Sequence, residues 1–529
     1  MTSRRWNGWG DEGVKLELPA TAHRYLEERL GKAQAPPDAR IDEATSRVPP
    51  SRLTSHPLVH TDSLVRLRHA RGQSLPDWLA LRFGRIDTVP DGVAFPESSQ
   101  DVRDLLAFAR SCSAAVIPYG GGTSVAGHIT PEPGDTPTLT VSLARMRALT
   151  HLDEQSRLAT FEAGVTGPDL ETQLRAHGYT LGHFPQSFEY STLGGWIVTR
   201  SSGQQSLRYG RIEALFAGGK VETPAGTLRI PTFPASAAGI DLREMILGSE
   251  GRAGIVTDAT VRVTDVPRHE SFEAIFFPSW ERARDCVTAL AHAGVPLSMI
   301  RLANPLETFT TLQLAGASAA VVWLERYLAL RGARNEKCLL LAGVTGSGRD
   351  AAHASRALRS IARGYGGVYA GAALGERWRR NRYRGVYLRN ALWESGYAVD
   401  TVETAVDWPR VDAMMQAMEG AARGALGDEP VHAYTHLSHV YPEGSSVYST
   451  FVFRIAPDYE TNLARWTRLK RAVSEAIVAN GGTITHQHGV GVDHKPYLAA
   501  EKGALGLDAM RALFARFDPD GTMNPGKLC

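Results

Sequence analysis

The feature that most constrains the fold of this chain is a glycine-rich run at residues 118–127, Pro-Tyr-Gly-Gly-Gly-Thr-Ser-Val-Ala-Gly. It directly follows residues 114–118, a short apolar stretch that we expect to be a buried β-strand. Consecutive glycines let several backbone N–H groups turn toward one point, and such a nest binds phosphate oxygens. His128 stands where a P-loop needs lysine, and Val125 fills the last glycine position of Gly-x-Gly-x-x-Gly. Taken alone, the loop is equally well explained as a tight turn.

Two further segments of small residues favour a cofactor loop over a tight turn. Residues 183–196 read His-Phe-Pro-Gln-Ser-Phe-Glu-Tyr-Ser-Thr-Leu-Gly-Gly-Trp, and residues 199–203 add Thr-Arg-Ser-Ser-Gly. Residues 248–256, Gly-Ser-Glu-Gly-Arg-Ala-Gly-Ile-Val, form another turn rich in backbone donors before a strand. Three such turns are able to line a long cofactor.

Composition is ordinary for a globular protein of more than one domain, with 529 residues of which 43% are hydrophobic and 22% charged. The formal net charge of +2 gives no strong field for nucleic acid. The four cysteines include no Cys-x-x-Cys pair, which argues against a disulfide framework or a thiolate zinc site and fits a reducing compartment. Residues 1–11 have no apolar signal core, so we expect a cytoplasmic protein. Residues 312–330 contain Glu325 and Arg326 and are predicted to be an amphipathic or core helix.

The order of patterns along the chain predicts an α+β protein. Residues 98–113 read as a helix with Ser99 as its N-cap, residues 138–165 and 253–266 as strands, and residues 508–517 as the last helix. We divide the chain into a helical arm (1–85), an α+β domain with the glycine segments (86–267), a second α+β domain (268–455) and a C-terminal segment (456–529).

The three small-residue segments, in this order, resemble the PCMH-type FAD-binding domain of the FAD-linked oxidases, the vanillyl-alcohol oxidase superfamily. The resemblance implies a two-domain flavoprotein in which residues 268–455 form a cap over the substrate and residues 456–529 return to the FAD domain and active site. It implies non-covalent FAD, since the glycine loop has no histidine or cysteine. By position, the expected FAD contacts are Pro118, Tyr119, Gly120, Gly121, Gly122, Thr123, Ser124, Gln186, Ser187, Phe188, Glu189, Tyr190, Ser191, Thr192, Thr199, Arg200, Ser201, Ser202, Glu250, Gly251, Arg252, Ala253, Gly254, Ile255 and Val256.

Within that superfamily the chain resembles the alkylglycerone-phosphate synthases, which make ether lipids. The likeness rests on residues 5–10 (Arg-Trp-Asn-Gly-Trp-Gly), residues 183–196 and residues 485–491 (Thr-His-Gln-His-Gly-Val-Gly). It implies a transferase without net redox that exchanges the acyl chain of acylglycerone phosphate for a long-chain fatty alcohol. It also implies a lipid-like phosphorylated substrate and peripheral contact with a membrane near residues 312–330. A homodimer is a separate expectation, because the sequence itself does not give the oligomeric state. The alternative is an FAD-dependent oxidoreductase that acts on a 2-hydroxyacid or an alcohol.

Three residues are candidates for proton transfer. His486 and His488 alternate, so in an extended segment they point to the same side and can serve as acid and base. Without a flavin nearby, a structural histidine pair is the better interpretation. The family pattern has three consecutive histidines, and Gln487 replaces the middle one. Tyr448 aligns with the family's essential tyrosine, although a strand tyrosine with its hydroxyl at the surface fits the pattern too.

Two arginines are candidates for substrate binding. The resemblance implies that Arg389 holds the substrate phosphate and that Arg301 is a second essential arginine. A guanidinium group fits phosphate oxygens with two parallel hydrogen bonds, while the alternative is a solvated surface charge. The arginines between residues 377 and 384 suggest a local anion site or a salt-bridged helix rather than a nucleic-acid patch.

His436 and His439 suggest a metal, but the surrounding pattern argues against one. Flavin-dependent 2-hydroxyacid dehydrogenases of this type carry Gly-His followed shortly by Gly-Asp-Gly-Asn-Leu-His. Here Tyr448 takes the second histidine position and the Asp-Gly-Asn is absent. We therefore expect no metal.

Overall fold

The computed structural model describes residues 4–316 and 319–529. Helices and strands alternate along the whole of this range. The strands are β1 (Val59–His60), β2 (Gly92–Ala94), β3 (Ala115–Tyr119), β4 (Thr138–Ser142), β5 (Leu149–Asp153), β6 (Leu158–Glu162), β7 (Tyr179–Thr180), β8 (Phe216–Thr223), β9 (Gly226–Ile230), β10 (Ile255–Arg262), β11 (Thr264–Asp265), β12 (His269–Phe277), β13 (Met299–Ala303), β14 (Cys338–Gly346), β15 (Val368–Tyr369), β16 (Tyr397–Asp407), β17 (His432–Val440) and β18 (Gly444–Arg454).

The longest helices of the described residues lie in the C-terminal half of the chain. They are α1 (Ala20–Leu30), α2 (Ile41–Ser46), α3 (Ser63–Arg68), α4 (Leu75–Phe83), α5 (Ser99–Ser111), α6 (Gly167–Arg175), α7 (Leu193–Val198), α8 (Ser206–Tyr209), α9 (Ile212–Leu215), α10 (Trp280–His292), α11 (Pro305–Leu314), α12 (Ala319–Leu330), α13 (Gly348–Gly364), α14 (Ala372–Asn381), α15 (Leu388–Glu394), α16 (Val411–Gly424), α17 (Tyr459–Ala479) and α18 (Leu498–Phe517).

Two small sheets position the glycine loop. In the four-stranded sheet, ordered β1-β2-β4-β3, strands β2, β4 and β3 are parallel and β1 is antiparallel to β2. The second sheet, ordered β5-β6-β10-β8-β9, is antiparallel throughout. The glycine loop begins where β3 ends. Because parallel strands need a crossover, α5 connects β2 to β3 and leaves this loop at one edge of the sheet.

A larger sheet faces that loop. Its seven strands are ordered β15-β12-β14-β13-β17-β18-β16, and all its paired neighbours are antiparallel. Helices α10, α13, α16 and α17 contribute apolar side chains to the core on one face of this sheet. Helices α12 and α14 cover the opposite face over β12, β14 and β15, and the part of that face that they leave free is able to line a site.

The two ends of the chain join these domains. Trp9, Leu75 and Trp78 of the arm are buried in the core of the large sheet. Phe514 and Met523 of the C-terminal segment are buried in the core beneath the small sheets. The carbonyl oxygen of Thr522 accepts a hydrogen bond from the Val116 amide, and the Asn524 amide donates to the Val116 carbonyl oxygen. The C-terminal segment therefore lies along the edge of β3.

Several expected elements are present, with different boundaries. Strands occupy most of residues 138–165, as predicted. Ser99 is not the N-cap of α5; Ser98 is, because its side chain accepts from the N–H of Asp101. The last helix begins at residue 498 rather than 508, with a kink at Gly503, whose φ of +65° interrupts the helical pattern. Residues 312–330 are not one helix, because α11 ends at Leu314 and α12 begins at Ala319.

Candidate active site

A cavity of about 540 Å³ lies between the glycine loop and the free face of the seven-stranded sheet. Small-molecule sites typically enclose roughly 300–1,000 Å³. The wall is assembled from all three small-residue segments, the sheet, the N-terminal arm and the C-terminal segment. Segments far apart in sequence therefore line the same cavity.

The glycine loop presents its bare backbone to this cavity. A Cβ on Gly121 would overlap the carbonyl oxygen of Tyr190, and one on Gly120 would overlap the hydroxyl of Thr192. Gly122 has a φ of +66°, which L side chains rarely adopt. Within the described chain, none of the five amides of residues 120–124 donates a hydrogen bond. Free, convergent N–H groups beside a cavity fit the pyrophosphate of a dinucleotide.

Most of the expected cofactor contacts line the cavity. They come from the end of β3, from the loop before α7 and from the turn before β10. On the wall are Pro118, Tyr119, Gly120, Gly121, Gly122, Thr123, Ser124, Gln186, Ser187, Ser191, Thr192, Thr199, Ser201, Ser202, Glu250, Gly251, Gly254, Ile255 and Val256.

Six expected contacts lie off the cavity wall: Phe188, Glu189, Tyr190, Arg200, Arg252 and Ala253. The Phe188 ring stacks on Tyr383, with ring centroids 4.9 Å apart. Glu189 accepts a 3.1 Å hydrogen bond from the Tyr387 hydroxyl. The Tyr190 ring packs edge-on against Trp9. These side chains connect the loop to the cap and to the arm instead of facing the cavity.

The other three also have structural partners. Arg200 pairs with Glu244 at 2.6 Å. Arg252, which departs from the family pattern, donates to the carbonyl oxygen of Met523 and lies over the Phe514 ring. Ala253 is fully buried in the core beneath the small sheets. We therefore assign Arg252 to anchoring the C-terminal segment.

Strand register places three chemical groups side by side on the large sheet. Tyr448 of β18 is directly opposite Glu403 of β16 on one side and His436 of β17 on the other. Directly opposed residues of antiparallel strands share a face. The Tyr448 ring stacks on His436, with centroids 4.7 Å apart, and meets the His488 ring edge-on at 5.5 Å. Burial raises the pKa of Tyr448 to about 12, so the phenol remains a hydrogen-bond donor at neutral pH.

The histidine segment is not extended, so alternation does not place His486 and His488 on the same side. Residues 485–488 wrap around the carboxylate of Glu403 instead. The amides of His486, Gln487 and His488 donate to this carboxylate at 2.8 to 3.1 Å, and the Thr485 hydroxyl donates at 2.7 Å. Burial alone would raise the pKa of Glu403, but His488, Thr485 and the amides outweigh it and keep the pKa below its ordinary value.

This wrapping separates the two histidines. His488 lines the cavity, together with Gln487. His486 lies behind the wall, where its Nε2 is 2.7 Å from both Arg211 Nη1 and the Tyr441 hydroxyl. Burial holds the pKa of His486 well below its ordinary value, and the positive charge of Arg211 is the second largest cause. His486 is therefore positioned to orient neighbours rather than to contact a substrate.

Arg389 is not a solvated surface charge. Its guanidinium group lies over the Trp78 ring at 4.3 Å and donates to the carbonyl oxygen of Gln73. Its Nη2 is buried without a hydrogen-bond partner in the described chain, although the residue lines the cavity. Burial lowers the pKa of Arg389 to about 10, which still leaves it charged at neutral pH. A buried cation with an unused donor is suited to an anion.

Arg301 also lines the cavity but already has an anionic partner. Its Nη2 is 2.6 Å from Glu307 Oε1, and the Arg301 side chain is about one third exposed. Arg301 therefore has less capacity for a second anion than Arg389. The arginines of α14 match the salt-bridged interpretation, since Arg379 and Arg380 both pair with Glu376.

Several wall residues were missed or set aside in the sequence. Gln73, Glu307 and Asn524 belong to no local motif, and Trp9 was named only as part of the motif at residues 5–10. His436 and His439 were considered only as metal ligands, although alternation along β17 places His436 on the cavity face. In the part of the chain that the structure describes, no group of three or more His, Cys, Asp or Glu side chains is arranged to hold a metal ion.

Two family models match the chain. Residues 90–230 match the model described as "FAD binding domain", and residues 266–528 match "FAD linked oxidases, C-terminal domain". The first match contains the glycine loop, and the second contains the sheet that faces it. FAD is accordingly the cofactor of this chain, and the cradle of free amides fits it.

Curated relatives narrow the family. The chain is 30% identical to the alkyldihydroxyacetonephosphate synthase of Trypanosoma brucei brucei, over 99% of this chain and 92% of that protein. It is 31% identical to the Dictyostelium discoideum synthase, over 88% of this chain and 78% of that protein. A probable mitochondrial D-lactate dehydrogenase from Danio rerio is 26% identical over 89% of this chain and 88% of that protein.

Solved structures agree with this assignment. An alkyldihydroxyacetonephosphate synthase structure superposes with a TM-score of 0.85 at 26% identity, covering 99% of both chains. A p-cresol methylhydroxylase structure superposes with a TM-score of 0.68 at 14% identity, covering 96% of both chains, and supports the fold alone. The predicted two-domain α+β flavoprotein fold is confirmed. The chain belongs to the alkyldihydroxyacetonephosphate synthase family of the FAD-linked oxidases.

Proposed function

We propose that the protein exchanges the acyl chain of acylglycerone phosphate, also called acyldihydroxyacetone phosphate, for a long-chain fatty alcohol, and so forms an ether lipid precursor. The observation that carries this is the meeting, in one cavity, of the free amides of residues 120–124, the unpaired donor of Arg389 and the His436–Tyr448–His488 row. Near-complete alignment with two synthases supports the same reaction.

Each group has a role that follows from its environment. Arg389 holds the substrate phosphate with its unused donor. Tyr448, which stays protonated, donates a hydrogen bond to the substrate's oxygen atoms. His488 is neutral because burial lowers its pKa against the influence of Glu403, so it accepts a proton or a hydrogen bond. Bound FAD would supply its ring N5 as the atom that holds the substrate carbon during the exchange, without net redox.

The wall also has an apolar side suited to long chains. It is formed by residues of β13, of α11 and of the stretch from α14 to α15: Met299, Leu314, Trp378, Val386, Leu388 and Leu392. Burying a methylene group contributes about 0.8 kcal/mol, so a long acyl or alkyl chain gains substantial affinity here.

We further propose that α12 rests on a membrane surface. Val322, Trp323, Tyr327 and Leu330 are exposed, with Trp323 68% and Leu330 88% accessible. Arg326 lies over the Trp323 ring. Aromatic and basic residues together favour the interface of an anionic bilayer. The patch follows α11, which lines the cavity, so a lipid chain has a short path inward. In the described residues, no helix is long and apolar enough to cross a membrane.

Incubation of the FAD-loaded protein with acylglycerone phosphate and labelled hexadecanol tests the reaction. The expected result is a labelled ether product with the flavin still oxidised at the end. Absence of ether product from a fully loaded protein contradicts the proposal. Anaerobic bleaching of the flavin by a 2-hydroxyacid or an alcohol would favour the oxidoreductase alternative, and sedimentation would check the predicted homodimer.

A further inference from the structure

A buried ionic cluster sits beside Tyr448 on the cavity wall. Glu307, in the first turn of α11, has one carboxylate oxygen 2.6 Å from Arg301 Nη2 and the other 2.9 Å from His436 Nδ1. The side chains of Glu307 and His436 are 6% and 5% exposed. Asn304 caps α11 by accepting from the Glu307 amide and so fixes where this carboxylate lies.

The cluster determines which nitrogen of His436 carries a proton. A carboxylate oxygen only accepts, so the 2.9 Å contact requires a proton on Nδ1. The 3.2 Å contact between Arg301 and the same Nδ1 is longer, and the Arg301 Nη2 already donates to Glu307. His436 is thus held with Nδ1–H toward the carboxylate.

The other nitrogen of the ring is free. Nε2 of His436 makes no hydrogen bond to any residue in 4–316 or 319–529, and the residue lines the cavity. Arg301 already balances the charge of Glu307, so no positive charge is needed on the imidazole. Burial, and then Arg301, lower the pKa of His436, which favours the neutral ring. Burial would raise the pKa of Glu307, but the charge of Arg301 and the hydrogen bonds from Arg301 and from Nδ1–H of His436 oppose it and keep the carboxylate ionised. A neutral imidazole held by a carboxylate is an oriented base.

The proposed reaction needs such a base. The acyl group leaves as a carboxylate, while the fatty alcohol must lose its hydroxyl proton as its oxygen bonds to the glycerone carbon. Tyr448 stays protonated and His486 is off the wall, so neither serves. His488 lines the cavity too, but it belongs to the C-terminal segment, whereas His436 contacts Glu307 of α11. His436 lies next to α11, whose Thr310, Thr311 and Leu314 line the cavity on the side of the α12 patch. The alcohol therefore arrives beside His436.

We propose that His436 is the base that takes the proton of the fatty alcohol, and that Glu307 positions it. The alcohol O–H bond breaks and its proton moves to Nε2. The alcohol oxygen forms the new C–O bond, and the acyl carboxylate leaves with the electron pair of the bond that breaks. This inference rests on the proposed function.

Two reactions of FAD-loaded His436→Gln separate this role from a structural one. Ether formation needs the alcohol proton, whereas exchange of labelled free fatty acid into acylglycerone phosphate does not. We expect ether formation to fall about 10²- to 10⁴-fold, the usual contribution of a general base, while fatty-acid exchange stays within threefold of the unsubstituted protein. His432→Gln is the control, since His432 is buried on the same strand but lies off the cavity wall.

Glu307→Gln tests the positioning role. The charged or titratable groups around His436 are Glu307 from α11, Arg301 from β13, Tyr448 from β18 and His439 on its own strand. Since Glu307 raises the pKa of His436, its loss moves the acidic limb of the kcat profile for ether formation to lower pH. The KM for acylglycerone phosphate should stay the same while kcat falls.

The outcomes distinguish the two proposals. If the unsubstituted protein forms no ether, the proposed function fails. If it does, but His436→Gln keeps ether formation within threefold, or loses both reactions equally, the role of His436 is overturned while the function stands. An unmoved acidic limb in Glu307→Gln overturns the role of Glu307.

Discussion

The glycine loop leaves no room for a side chain at Gly121, and we expect this to matter for FAD binding. In Gly121→Ala the new methyl group would overlap the Tyr190 carbonyl, so the loop must move away from the second segment. We expect FAD affinity to fall at least about tenfold, which corresponds to about 1.4 kcal/mol. Flavin absorbance per protein, titrated with FAD, measures this. Gly348→Ala is the matched control, because nothing lies within 4 Å of a Cβ added there. Unchanged FAD affinity in Gly121→Ala would contradict the role of the loop.

A single carboxylate shapes the histidine segment. Glu403→Gln removes the charge to which four donors of residues 485–488 are directed, and we expect a loss of about 2–3 kcal/mol in the free energy of unfolding. Denaturant titration at several pH values measures it.

The pH dependence of that loss has a defined sign. The folded pKa of Glu403 is below its ordinary value of 4.5. The stability it contributes is therefore full above about pH 4.5 and is lost as pH falls through the folded pKa. The unsubstituted protein and Glu403→Gln should converge in acid. A constant difference from pH 7 to pH 3 would show that the charge is not the cause.

At the scale of elements, the sequence predicted the strands better than the start of the last helix or the loop that contains the histidines. Residues 138–165 alternate apolar and polar positions, and three strands lie there. Residues 498–507 contain Gly503 and Gly506, and because of these glycines the sequence did not predict the first half of α18. The path of residues 485–488 could not be predicted, because no local pattern reveals a buried carboxylate 82 residues earlier in the chain. Tertiary contacts overrode local preference in that segment.

Helix α12 is the element whose exposed face makes a prediction. Replacing Trp323 and Tyr327 together by alanine removes two aromatic anchors, and we expect binding to vesicles containing anionic lipid to fall about tenfold per aromatic residue. Cosedimentation with vesicles measures this. Phe233→Ala provides the control, because Phe233 is also an exposed aromatic residue, at 59%, but lies outside α12. Equal binding of the double variant and the control would contradict the assignment of this surface.

At the scale of the whole molecule, the sequence motifs predicted the cofactor half of the site better than the substrate half. The glycine loop and its two partner segments carry local signals. Glu307 and His436 are 129 residues apart, and α11 meets β17 because β13, which precedes α11 in the chain, pairs with β17. Arg389 was predicted, but its stacking on Trp78 and its spare donor arise from packing of the arm. The domain boundaries at residues 86, 268 and 456 stay predictions.

A pair of hydrogen bonds joins the N-terminal arm to the substrate side of the cavity. Asn390 accepts from the Trp9 amide at 3.2 Å and donates to the Trp9 carbonyl at 3.0 Å, across 381 residues. Trp9 is buried and lines the cavity, so Asn390→Ala leaves two backbone groups of a buried residue without partners. We expect a loss of about 2–4 kcal/mol in the free energy of unfolding and earlier proteolysis within the first 18 residues. Ether formation should fall more than FAD binding, because Trp9 and the neighbouring Arg389 form the substrate side of the cavity. Asn381→Ala is the control, since that exposed side chain only donates to a carbonyl of its own helix. If Asn390→Ala keeps the arm as resistant to protease as the control does, the arm is held by its apolar contacts alone, and closure of the cavity does not depend on this pair of hydrogen bonds.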